Sequence, residues 1–354
     1  MAKVLFILKR REDFNSFLHS HIGLSTGLYN SASFMHNMLN ERNIESVLSV
    51  VVDNNAIDRE VTLHKPKYVI IEALWVVPSK FAVLCKLHPN VKWIIRLHSE
   101  MPFLAGEGMA MDWIGEYSSY PNLIIGVNAP RMMSEVEIYL QHRNNWSADE
   151  VKKRIIYLPN FYPQQYKTKK FVKNKEFIDI GCFGAVRPLK NHLLQALASI
   201  DFANKINKKL RFHINAGRIE MQGGPVLNNL TGLFEQITDK GHELINHQWT
   251  PREQFLELCA SMDIGLQVSF SETFNIVGAD VISQGVPLVG STEIPWNVDV
   301  FAANPVDSAD IVNKLFHAYR FPWINVKTSQ LALTAYTNKT ANIWTKYFTE
   351  EDNI

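Results

Sequence analysis

A chain of 354 residues exceeds one ordinary hydrophobic core, so its length favours two domains or one large α/β barrel and excludes a small disulfide scaffold. Hydrophobic residues make up 46% and charged ones 20%, enough apolar surface to offset chain entropy, which excludes wholesale disorder. Lys+Arg 36 against Asp+Glu 35 gives a net charge of +1, so no global field advertises a polyanionic partner; only a local basic patch is allowed.

Residues 4–8 are a short, solidly apolar run that predicts a strand buried on both faces, opening into a polar stretch. After Gly23 and Gly27, apolar Leu28, Ala32, Met35 and Leu39 recur at helical spacing, with Ser25 or Thr26 placed to cap. Further strands are predicted at 47–52, 68–71, 91–97 and 123–127. From Lys152 to Lys175 the chain carries basic residues and no acidic one, which predicts a basic connector and a domain boundary. The alternation then restarts, with strands at 177–183, 210–215, 243–247, 264–268 and 286–290, a helix from about residue 191 and a last helix near 329–348. Alternating short β and longer α segments imply an α/β chain of two Rossmann-like, doubly wound domains facing a cleft. The expected division is 1–160, 161–328, and a C-terminal helical segment 329–354 free to pack back on the N-terminal domain.

Cys85, Cys182 and Cys259 lie far apart, with no CxxC pair and no His at metal-ligand spacing, and read as reduced thiols. No cleavable leader is visible and no stretch approaches the length of a membrane span, so a soluble, cytoplasmic protein without stable membrane insertion is expected.

Ligands of doubly wound sheets lie beyond the carboxyl ends of the strands, and two such places carry chemistry. In the first, Gly181 and Gly184 follow a strand and let the backbone approach a ligand, while Arg187 and Lys190 supply two cations. In the second, 269–289 reads as strand end, loop, helix N-terminus, helix, Gly stop and Pro-bearing strand. The helix start near Asn275 offers free amides and a positive dipole end, which suit a phosphate. Glu272 before that helix and Asp280 within it are two acceptors placed to flank a ligand. Cations and a helix N-terminus together suggest a diphosphate.

These residues resemble the donor half of retaining GT-B glycosyltransferases, especially glycosyltransferase family 4. That family's pattern is G-x-x-x-x-x-K followed by E-x-F-G-x-x-x-x-E-A-x-A-x-G-x-P-V-V. The matching positions are Gly184, Arg187 and Lys190, then Glu272, Phe274, Asp280, Gly285 and Pro287. Asn275 stands where the pattern has Gly, and Asp280 where it has a second Glu. The resemblance implies a GT-B enzyme that moves a sugar from a nucleotide-diphosphate sugar, UDP-linked by preference, to an acceptor hydroxyl with retention. It implies donor binding by Gly27, Gly184, Arg187, Lys190, Glu272, Phe274, Asn275, Ile276 and Asp280. Arg187 and Lys190 would neutralise the leaving diphosphate, Glu272 hold sugar hydroxyls and Asp280 the ribose. His98, which emerges from a predicted strand, would approach the sugar. No D-x-D sequence occurs, so no metal and no cofactor beyond the substrate are expected.

The chain also looks like glycosyltransferases of T-even-type tailed phages, through Leu8-Lys9-Arg10-Arg11-Glu12-Asp13, the stretch from Gly23 to Phe34 and Arg96-Leu97-His98-Ser99-Glu100-Met101-Pro102-Phe103. That likeness makes a hydroxymethylated pyrimidine in double-stranded DNA the candidate acceptor. Lys9-Arg10-Arg11 and the basic connector would lie along phosphates, with Phe14, Phe17, Trp75 or Phe103 placed to stack an extruded base. A cell-surface saccharide or lipid acceptor is the enzymatic alternative, a nucleotide-sugar epimerase a second, and a non-catalytic nucleotide or nucleic-acid binding module the alternative from another class.

Overall fold

The computed structural model describes residues 3–9, 27–172 and 175–350, in two compact units, Met1–Pro163 with Thr337–Ile354 and Gln164–Tyr336. The first unit holds β1 (Val4–Lys9), β2 (Ser46–Val51), β3 (Tyr68–Glu72), β4 (Lys92–Leu97), β5 (Leu123–Val127) and β6 (Ile155–Tyr157). They form a sheet in the order β2-β1-β3-β4-β5-β6, with every pairing parallel. Because a strand's side chains alternate between faces, one apolar run feeds two cores. Val4, Phe6, Tyr68, Ile70 and Ile94 enter one, and Leu5, Ile7, Val69, Ile71, Trp93 and Ile95 the other. The first of these faces is covered by Met35, Met38 and Leu39 of the helix Gly27–Glu41 and by Ala341, Trp344 and Phe348 of the last helix.

The second unit holds β7 (Phe177–Gly181), β8 (Lys209–Ile214), β9 (Glu243–Asn246), β10 (Ile264–Gln267), β11 (Leu288–Ser291) and β12 (Ala302–Ala303). Their order is β12-β11-β10-β7-β8-β9, again all parallel. The chain runs outward from β7 through β9, then returns to β10 and runs out the other way. The sheet therefore reverses between β7 and β10, and the loops leaving those two strands diverge there, the place where such sheets bind ligands.

Two expectations need adjustment. The basic stretch 152–175 holds the division between the units, at Pro163 and Gln164, but its first residues are structured: they end the helix Ala148–Lys152 and form β6, a three-residue edge strand of the first sheet. Arg154 donates to the carbonyls of Tyr120 and Pro121, both at 2.8 Å. Lys169 donates to the carbonyls of Ala260 and Met262, and Lys175 pairs with Asp263 at 2.8 Å. Lys169 thus closes the C-terminal end of the helix Arg252–Ser261, the usual use of a cation near a last helical carbonyl. The last helix starts at Pro322, earlier than the pattern near Ser329 suggested, because proline is well suited to a first helical position. Its residues through Tyr336 belong to the second unit and those from Thr337 to the first. β12 is too short for any periodicity to reveal. The cap at Ser25 or Thr26, and Arg10, Arg11, Phe14, Phe17 and Gly23, lie outside the described residues.

Candidate functional site

At the reversal point of the second sheet, the loop after β7 and the loop after β10 are tied together by side-chain and backbone hydrogen bonds. Gln267 donates to the Phe183 carbonyl (3.0 Å), and the Phe270 amide donates to the Leu189 carbonyl (3.0 Å). Asn191 donates to the Val268 carbonyl (3.1 Å), while the Val268 amide donates to Gln195 Oε1 (2.7 Å). Gly184 sits at φ +115°, a conformation that side chains rarely adopt, and a Cβ there would meet nothing closer than Lys190 at 3.8 Å. Its glycine is required by the backbone, not by crowding.

This frame delivers Lys190 and Glu272 to one point. Lys190 Nζ donates to Glu272 Oε1 at 2.5 Å, with the two side chains 12% and 9% exposed. Glu272 Oε1 also accepts from Asn275 Nδ2 at 3.1 Å. Asn275 itself explains why the pattern's Gly can be replaced. Its φ of +62° falls in the left-handed region, which Gly favours and Asn tolerates. The side chain then contributes more than Gly can, because Oδ1 accepts from the Gly278 amide at 2.7 Å and caps the helix Ile276–Ser283. The amides of Ile276 and Val277, at the first turn, have no acceptor within the helix. Replacing Asn275 by Ala is expected to destabilise the second unit by about 1–2 kcal/mol, through a lost cap and a forced positive φ. Replacing it by Gly should cost less, and urea unfolding of the two variants gives the order.

Arg187, three residues before Lys190, pairs with Glu220 at 3.3 Å, and the same carboxylate takes Arg218. Arg218 also lies over the Trp249 ring, 5.2 Å from its centroid. The cations around these two loops thus outnumber the carboxylates. Phe274 is 2% exposed and packs against Trp296 and Tyr336, so its ring is core. Ile276 is half-buried at the helix start. Asp280 is buried, and its carboxylate pairs with Arg252 at 2.7 Å. The structure therefore brings Gly184, Lys190, Glu272, Asn275 and Ile276 together, and gives Arg187 and Asp280 partners that the sequence did not reveal. Among the described residues no group of three or more His, Cys, Asp or Glu side chains is arranged to hold a metal ion.

In the first unit, His98 follows β4, and its Nε2 donates to the fully buried Glu72 at the end of β3. Arg96, also fully buried, gives Nη1 to both Glu72 oxygens at 3.2 Å and Nε to the Leu158 carbonyl at 3.1 Å. Its Nη2 reaches the Pro159 carbonyl and Asn160 Oδ1. Burial alone would raise the Glu72 pKa, but the charges of Arg96 and His98 prevail and hold it below the ordinary value. Burial holds the His98 pKa below its own ordinary value, against the opposite pull of Glu72. Gly27 is the first residue of its helix. Glu100 is bound by Arg131, and Trp75 Nε1 donates to the Glu72 carbonyl at 3.0 Å.

No protein-family model and no curated protein sequence matches the chain. Solved structures do. An α,α-trehalose-phosphate synthase (UDP-forming) from Burkholderia vietnamiensis matches with a TM-score of 0.67 at 10% identity, covering 99% of this chain and 97% of that one. The E. coli trehalose-6-phosphate structure bound with UDP-2-fluoro glucose gives a TM-score of 0.69 at 11% identity, covering 99% and 98%. The sucrose-phosphate synthase of Thermosynechococcus elongatus gives 0.67 at 11%, covering 99% and 100%. The chain has the GT-B fold. At these identities the matches carry the fold, and the likeness to family 4 and to T-even-type phage enzymes rests on the motif residues alone. Within the GT-B frame, sequence reasoning missed the Glu72–Arg96–Asn160 network, the Arg218–Trp249 pair and Arg252. An acidic residue ending one buried strand and an arginine inside the next was the available signal for the first of these.

Proposed function

We propose that the chain is a retaining glycosyltransferase whose second unit binds a nucleotide-diphosphate sugar, UDP-linked by preference, at the ends of β7 and β10. The observation that carries this reading is the Lys190–Glu272 pair, set beside the capped start of the helix Ile276–Ser283 in a GT-B fold. The cation and the carboxylate satisfy each other. With donor present, Lys190 and Arg187 turn to the diphosphate, the Ile276 and Val277 amides add donors, and Glu272 accepts from sugar hydroxyls. The bond from the anomeric carbon to the diphosphate oxygen breaks, and a bond from that carbon to the acceptor oxygen forms on the same face. The acceptor's proton passes to a diphosphate oxygen. Negative charge grows on the leaving group as the bond breaks, so fixed cations and amides stabilise the transition state more than the bound donor. The fold match to UDP-forming synthases, one of them studied for glycosyl transfer with retention, supports both the UDP and the stereochemical assignments.

The acceptor is a separate matter. A DNA acceptor draws no support from the matched proteins, and Lys169 and Lys175 of the expected basic track are engaged within the second unit. Nucleotide sugars incubated with hydroxymethylcytosine, hydroxymethyluracil and unmodified DNA, beside free sugar phosphates, identify the acceptor by mass gain.

Glu272→Gln tests the donor assignment. Turnover of the nucleotide sugar should fall by at least about 10²-fold, as expected for removing a charged contact used in the transition state. UDP binding, measured by calorimetry, should be kept or strengthened, because Lys190 loses its internal competitor. A wild-type chain that consumes no nucleotide sugar with any acceptor would sink the reading.

A further inference from the structure

The helix His192–Lys205 begins with a histidine that none of these roles uses. His192 is 1% exposed, and neither ring nitrogen has a hydrogen-bond partner among the described residues. Buried polar groups are nearly always paired, so an imidazole unpaired at both nitrogens calls for a ligand that meets it.

The fold says where that ligand would sit. Gln195, one turn along the same helix face, is bonded to the Val268 amide at the end of β10 (2.7 Å) and to the Lys190 carbonyl (2.7 Å). His192 directly follows Asn191, as Ser269 directly follows Val268, so the two residues adjoin one tie between the segments. The bonds from Asn191 to the Val268 carbonyl and from the Phe270 amide to the Leu189 carbonyl clip the two segments together there. Ser269, also 1% exposed, has an Oγ without a partner among the described residues. The first amides of this 14-residue helix have no internal acceptors. Burial, and then the charges of Lys190 and Arg187, push the imidazole down to about 3, so it is neutral and presents one N–H. Hydroxyl, imidazole N–H, helix amides and two nearby cations form a set of donors, which fits an anion and not a cation or an apolar group.

We propose that His192 and Ser269 floor the donor phosphate site, with the His192 N–H donating to a non-bridging oxygen of the nucleoside diphosphate. This rests on the donor reading given above. Lys190 is paired with Glu272, and the donor phosphate would draw it from that carboxylate to the same oxygens that meet the ring.

The full-length chain is titrated with UDP and, separately, with uridine. His192→Leu, which replaces an unmet polar ring by an apolar side chain, should weaken UDP about tenfold, the effect of one lost hydrogen bond to a charged group. Uridine affinity and the thermal midpoint should hold, and His192→Asn, which keeps a donor, should recover part of the loss. In the wild type, the His192 ring nitrogen resonances should shift with UDP and not with uridine, a readout independent of any variant's folding. Equal weakening of UDP and uridine with a lower thermal midpoint would make His192 merely structural and overturn the proposal. UDP affinity unchanged in His192→Leu but lost in Lys190→Ala would overturn it while leaving the donor reading intact. No UDP binding by the wild type would remove both.

Discussion

Lys190→Ala is expected to lower kcat/KM for sugar transfer by about 10²–10³-fold, the scale for removing one fixed stabiliser of developing negative charge. The residue is held by geometry on both sides. Its carbonyl accepts from Gln195, its side chain is 12% exposed, and the turn it ends is closed by Asn191 at φ +57°. Once the donor has drawn it from Glu272, a cation on so fixed a backbone is in place before the leaving group charges, which is why its loss should appear in kcat as well as in donor affinity. Lys190→Arg should not restore the wild type, since a planar guanidinium cannot reproduce a point charge at the same place. UDP release followed under initial-rate conditions supplies the measurement. Transfer within about threefold of wild type would exclude Lys190 from the transition state.

Arg96→Met is expected to destabilise the first unit by about 3–5 kcal/mol, because it leaves the Glu72 carboxylate buried without its charge partner. Both side chains are fully buried, and the guanidinium also serves three groups at residues 158–160 and lies over the Trp344 ring, 5.1 Å from its centroid. The double variant Arg96→Met with Glu72→Gln should recover much of the loss, since an apolar or neutral replacement of a whole buried pair is often tolerated. Urea unfolding read by a first-unit probe decides it; a single variant as stable as wild type would mean the charge is solvated in a way the burial does not show. The pH response follows from the same groups. The His98 pKa lies below its ordinary 6.5 and that of Glu72 below its ordinary 4.5. The unfolded chain therefore takes up protons first as pH falls, and stability is lost below about 6.5 and further below about 4.5.

The sheets were legible because parallel strands buried on both faces must be continuously apolar, and 4–8, 68–71 and 123–127 are. β6 was not, because three residues between Arg154 and Leu158 show no period, and the cations around it spoke for a linker. The loop positions Gly184 and Asn275 were legible as places where the backbone turns, and the structure adds the positive φ at each. Side-chain partners were the illegible part. Glu220 lies 33 residues from Arg187, Glu272 lies 82 from Lys190, and Trp344 lies 185 from the Pro159 carbonyl that accepts its indole N–H. No local pattern encodes a contact at such separation; only the crossing order of the strands does.

The last helix gives the chain an order of assembly. Trp344 and Phe348 close the sheet face lined by Phe6 and Tyr68, and Thr340 and Trp344 bond to the carbonyls of Asn160 and Pro159. On the ribosome, those closing residues emerge long after the strands they cover. The second unit, contiguous from Gln164 to Tyr336, has all its parts earlier than the first. Synthesis from the N-terminus would thus leave the first-made sheet waiting, with one apolar face covered only in part by the helix Gly27–Glu41, until residues 337–350 emerge.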